Sequence, residues 1–114
     1  MTGQAFIYIW EYEVAPGREA EFLAHYAPGG SWARLFRRAP GYVGTELYRD
    51  LARPDRFVTL DRWQDEAAFR DFSRRFASDY EALDQQCAGL TRHERPLGEF
   101  QPAPDGGAEV PLTR

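Results

Sequence analysis

Between residues 5 and 15 the chain alternates, with Phe6, Tyr8, Trp10, Tyr12 and Val14 on one parity and Ile7 and Ile9 on the other. This pattern predicts a strand carrying apolar side chains on both faces. Pro16-Gly17 closes it, and REAEFLAHY (18–26) steps like a helix with Phe22 and Tyr26 one turn apart. Pro28-Gly29-Gly30 stops that helix. Ser31 can then cap a second helical piece, SWARLFRR, in which Trp32, Leu35 and Phe36 share a face. After Pro40-Gly41 two short strands are expected, YVGTELYRD (42–50) and RFVTLDRW (56–63), joined by LARPD as a hairpin loop.

Trp63 sits where the period changes from two to about 3.6. Asp65 can cap the next helix, along which Phe69, Phe72, Phe76, Tyr80, Leu83, Cys87 and Leu90 recur every three or four residues. Arg70, Arg74, Arg75, Glu81 and Asp84 lie off that stripe and read as a solvated face, with Asp71 and Arg75 spaced for an ion pair. Ser78-Asp79 can restart the helix after a kink. A last strand runs from Leu90 to about Gly98, so residues 1–100 form one domain. The segment 101–114, rich in Pro and Gly, reads as a flexible tail.

The order β, α, β, β, α, β predicts an α+β, ferredoxin-like fold: a four-stranded antiparallel sheet with helices on one face. Helices on one face leave the other uncovered. Yet Ile7 with Ile9, Tyr42 with Val43 and Phe57 with Val58 place apolar residues on both parities. A second copy packing sheet against sheet would cover that face, so a homodimer is expected.

Composition narrows the partners. The 114 residues are 43% hydrophobic and 15% aromatic, enough for one core. A net charge of −4 offers no basic field for nucleic acid or an anionic membrane. The opening MTGQAFIYIWEYEV lacks a basic n-region and is broken by Glu11 and Glu13, so it reads as neither signal peptide nor membrane span. A cytoplasmic location is the expectation. Cys87, the single cysteine, falls on the apolar stripe and reads as core. All 14 basic residues are Arg, and the chain has no Lys or Asn, which suggests codon bias in a GC-rich genome rather than arginine chemistry.

Three stretches carry a resemblance: PGREAEF after the aromatic first strand, PGYVGTELYRD at the second, and FVTLDRWQDEAAF across the third strand and following helix. Over residues 5 to about 100 the chain resembles the antibiotic biosynthesis monooxygenase family, whose members are dimeric α+β barrels. That family includes cofactor-independent oxygenases of aromatic polyketides and haem-degrading enzymes. The resemblance implies that Trp63 lines a substrate cavity between sheet and helices. On residue chemistry alone, a Trp at this corner also anchors the core through buried area, on the order of a few kcal/mol. The haem-degrading members carry an Asn near the cavity and a His about three turns past the tryptophan. Here that region is Phe72-Ser73 and no Asn exists, so haem lacks an evident axial ligand. The oxygenases also use an Asn shortly before the tryptophan, where this chain has Thr59 or a neighbour.

The function expected is a cofactor-independent, monooxygenase-like enzyme acting on a small hydrophobic aromatic, polyketide-like substrate, with no cofactor and no metal. A non-catalytic small-ligand binder or an assembly protein of the same fold is the alternative; the latter would fill its cavity with its own side chains. Such oxygenation needs an aromatic pocket and one base to deprotonate the substrate. Tyr8, Trp10, Tyr12, Trp32, Phe36 and Tyr48 are the candidate substrate-binding residues, and His25, Trp63, Thr59 and Asp61 the candidate catalytic ones. His25 is either the base or a His on a helix flank. Asp61 is either a buried acid or a partner for Arg62 or Arg49. His93 reads as exposed or paired with a carboxylate. No phosphate-binding Gly-rich loop, nucleophile elbow or metal-spaced His pair is present.

Overall fold

The computed structural model describes residues 4–103. Its elements are β1 (Phe6–Val14), α1 (Glu19–Tyr26), α2 (Ser31–Phe36), β2 (Tyr42–Arg49), β3 (Arg56–Trp63), α3 (Glu66–Arg75), α4 (Ala77–Gln86) and β4 (Thr91–Phe100). The strands form one antiparallel sheet in the order β2-β3-β1-β4, the ferredoxin-like arrangement. The tail expected at 101–114 lies, beyond residue 103, outside the described residues.

Phe6, Tyr12, Val14, Phe57 and Trp63 are buried on the helix-covered face, against Phe22 and Tyr26 of α1, Trp32, Leu35 and Phe36 of α2, and Phe72 of α3. Cys87 and Leu90 close the core, as the apolar stripe predicts. On the opposite face Ile7, Ile9, Val58 and Leu60 are only half-buried. Glu11 lies among them, 7% exposed, paired with Arg56 at 2.7 Å and Arg95 at 3.3 Å.

Two local expectations change. Ser31 is the first residue of α2 but caps nothing with its side chain; its hydroxyl instead meets His25 and Arg34. The break in the long helix falls at Phe76 (φ −113°, ψ 24°), just before Ser78-Asp79. Asp65 caps α3 by accepting from the Ala68 amide at 2.8 Å, and Asp71 pairs with Arg75 at 3.2 Å. Gly41, at φ +92°, lets the chain enter β2 where a Cβ would lie 2.6 Å from that of Ala68. Gly30 is equally constrained, since a Cβ there would strike the Ala24 and His25 carbonyls at 2.7 Å.

Candidate active site

Even-numbered residues of β1 and odd-numbered residues of β3 point toward the helices, and between sheet and helices lies a cavity of about 560 Å3. Tyr8, Trp10 and Tyr12 form its floor from β1, with Thr59, Asp61 and Trp63 beside them from β3. Trp32 and Phe36 of α2 close one side, and Tyr80 of α4 another. Trp63 is both a core residue and a lining residue. It is 1% exposed, its ring lies 5.2–5.7 Å from those of Phe36, Tyr42, Phe69 and Phe72, and it also contributes to the cavity wall.

The polar groups on the wall are few and ordered. Tyr12 and Thr59 share a hydrogen bond of 3.1 Å between their hydroxyls. Thr45 donates to Asp61 Oδ1 at 2.6 Å, and because its proton is committed there, Tyr42 must donate to the Thr45 oxygen, also at 2.6 Å. Oδ2 of Asp61 has no hydrogen-bond partner among the described residues. Burial pushes the Asp61 carboxyl up to about 6, with the Thr45 hydrogen bond working against that rise. Burial also holds the hydroxyls of Tyr12, Tyr26 and Tyr80 well above the ordinary phenol range. At neutral pH these phenols remain protonated, whereas Asp61 presents a carboxylate on the cavity wall. The buried indole N–H of Trp32 finds no well-aligned acceptor among the described residues, although Tyr26 and Cys87 lie beside it.

Of the ten residues expected at the site, two lie elsewhere. His25 does not line the cavity; it sits on the flank of α1, with Nδ1 3.0 Å from the Ser31 hydroxyl, while Phe22 and Tyr26 take the inward positions. Tyr48 is 55% exposed on the opposite face, where it donates to Glu46. The reason is a bulge between Tyr42 and Gly44, which reverses the alternation so that Thr45 and Leu47 turn inward and Tyr48 outward. His93 is exposed on β4.

Several lining residues were not among those expected. Thr45 is hidden from a parity argument by the same bulge. Tyr26 and Tyr80 read from their periodicity only as core. Arg70 and Asp84, expected on a solvated face, stand with Glu94 and Glu99 around the cavity. Their place was not legible from the period of α3 and α4, because it depends on β4, the edge strand of the sheet, which brings the exposed Glu94 and Glu99 to the same cavity. Among the described residues no cluster of His, Cys, Asp and Glu is arranged to hold a metal ion, and no helix is long and apolar enough to cross a membrane.

Three solved structures illustrate what the fold is similar to. SnoaB, a cofactor-independent oxygenase from Streptomyces nogalater, is 20% identical, with 93% of this chain and 100% of that one covered and a TM-score of 0.65. A protein from Pseudomonas aeruginosa is 16% identical over 91% of this chain and 99% of its own, with a TM-score of 0.64. One from Shewanella oneidensis is 20% identical over 87% and 91%, with a TM-score of 0.61. At these identities the likeness concerns the fold. No curated protein is matched significantly by the sequence. Residues 5–78, more than half of the chain, match the antibiotic biosynthesis monooxygenase family, and the protein belongs to that family.

Proposed function

We propose that the protein is a cofactor-independent, monooxygenase-like enzyme for a hydrophobic aromatic substrate of polyketide type, with Asp61 as its proton acceptor. The observation that carries this reading is a carboxylate only 8% exposed, one oxygen held by Thr45 and the other free, on the wall of an aromatic cavity. Family membership and the fold shared with SnoaB support it. A general base works best with a pKa near the operating pH, and burial moves Asp61 in that direction. The assembly-protein alternative fits less well with an open cavity of this size.

The reaction follows from the chemistry of an anthrone or acidic phenol. Asp61 removes a proton from the ring system, and the resulting anion, stabilised across the fused rings, passes electrons to O2. Carbon and oxygen then join as a peroxide. Loss of the second hydrogen from that carbon breaks the O–O bond, leaving a carbonyl on the ring and one molecule of water. One CH2 and one O2 thus become one C=O and one H2O, with O2 as the only oxidant. Thr59 and Tyr12 offer hydroxyl groups to hold a substrate oxygen, and Trp63 packs the ring.

A second copy of the chain is part of the proposal, covering the sheet face that carries Ile7, Ile9, Val58 and Leu60. The test of function is oxygen uptake with a panel of anthrone-type substrates, using metal-stripped, colourless protein. Stoichiometric uptake with formation of the quinone supports the enzyme. Saturable binding without uptake across the panel favours the ligand-binding alternative.

A further inference from the structure

The charges around the cavity are unbalanced, and they come from four of the elements that face it. Asp61 stands on β3, Arg70 on α3, Asp84 on α4, and Glu94 and Glu99 on β4. Among the described residues that line it, Arg70 is the single cation, and it is committed. Its guanidinium meets both carboxylate oxygens of Glu99 at 2.7 and 3.2 Å, holds Glu66 at 3.1 Å, and lies over the rings of Phe6 and Phe69 at 5.6 and 5.3 Å. The two arginines of β4 are engaged elsewhere: Arg92 with Asp55 at 2.6 Å and Arg95 with Glu11 at 3.3 Å.

Asp84 and Glu94 are left without a cationic partner among the described residues. Glu94 accepts one hydrogen bond, from Thr91 at 2.9 Å. Burial is the main cause that raises the Tyr80 hydroxyl, and both carboxylates, together with Asp61, add to that rise, so the three contribute to one negative field. A second and independent feature is the wall itself. Trp10, Trp32, Tyr12 and Tyr26 line the same cavity, and aromatic faces attract cations. A third is Asp61, more than nine-tenths buried, with Oδ2 unpartnered on that wall.

Resting on the oxygenase reading, we propose that the substrate is an aromatic compound bearing a protonated amine, its ammonium group held at the cavity mouth by Asp84 and Glu94. The ring then extends inward to Trp63 and Asp61. An ammonium in that position offsets the negative charge that develops on the ring when Asp61 removes a proton, which a neutral substrate leaves unopposed in an acidic cavity. A carboxylated substrate meets repulsion from both mouth residues and is excluded.

Binding, not turnover, tests this assignment, so its failure is distinguishable from failure of the oxygenase reading. Isothermal titration at neutral pH compares three probes of similar size: naphthylmethylammonium, naphthylmethanol and naphthylacetate. The ammonium probe is expected to bind at least about tenfold more tightly than the carboxylate, with the alcohol between and the gap shrinking as salt is added. In an Asp84→Asn, Glu94→Gln double variant, shown folded by its thermal melt, the preference should fall to about threefold or less. Equal or tighter binding of the carboxylate would overturn the assignment, as would a preference unchanged in the double variant or binding of none of the probes.

Discussion

Thr45 and Asp61 face each other across the β2–β3 pair, and the threonine hydroxyl donates to Asp61 Oδ1 at 2.6 Å. That contact opposes the effect of burial on the carboxyl and leaves its other oxygen free toward the cavity. Thr45→Val should therefore raise the apparent pKa governing kcat/KM, moving the acid limb of the pH profile to higher pH. Tyr42→Phe, which keeps the Thr45 bond to Asp61, should move it less. A profile unshifted in Thr45→Val would remove Thr45 as a positioning residue.

Asp61 also sets a stability cost with a defined sign. Its folded pKa, about 6, lies above the ordinary 3.8, so between those values the folded protein binds more protons than the unfolded chain. Stability falls as pH rises through this window and stays lower above it, by on the order of 3 kcal/mol for a shift of about two units. Asp61→Asn, which can still accept from Thr45, should raise Tm at pH 8 and lose that advantage near pH 4. Melting curves at the two pH values check this.

Trp63 is 1% exposed and contacts four aromatic rings. Trp63→Ala should destabilise the protein by about 3–5 kcal/mol in urea unfolding. Trp63→Phe should cost less and weaken substrate binding, visible as a higher KM.

Ile9 stands on the face opposite the helices, paired with Leu60 across β1 and β3. A lysine placed there within a sheet-to-sheet dimer would be buried without a partner, at a cost of several kcal/mol. Sedimentation velocity should show a dimer for the wild type at micromolar concentration and a dissociated or unfolded species for Ile9→Lys. A wild-type monomer would contradict the dimer.

The strands and helices were legible where an element keeps one period: Phe69, Phe72 and Phe76 recur by helical steps, and Phe57, Thr59, Asp61 and Trp63 share one strand parity. The inward set on β3 followed directly from that parity. What stayed hidden depended on breaks in period or on rotation about an axis. One extra residue near Gly44 exchanged Tyr48 for Thr45 at the cavity. His25 lies close to Phe22 in sequence, but the angle between them on α1 carries it to the flank and to Ser31. The acidic rim of Asp84 and Glu94 joins a helix to the edge strand that follows it, and the period changes between them, so no single periodic pattern aligns the two.

The central claim is that Asp61, and not His25, accepts the substrate proton. Oxygen uptake with an anthrone-type substrate, followed from pH 5 to 9, tests it most directly. The wild type should gain kcat/KM as pH rises through about 6 and then level off. His25→Ala should retain that profile, while Asp61→Asn, folded and still binding substrate, should lose at least about a hundredfold in kcat. Undiminished turnover in Asp61→Asn, or a comparable loss in His25→Ala, would contradict the account.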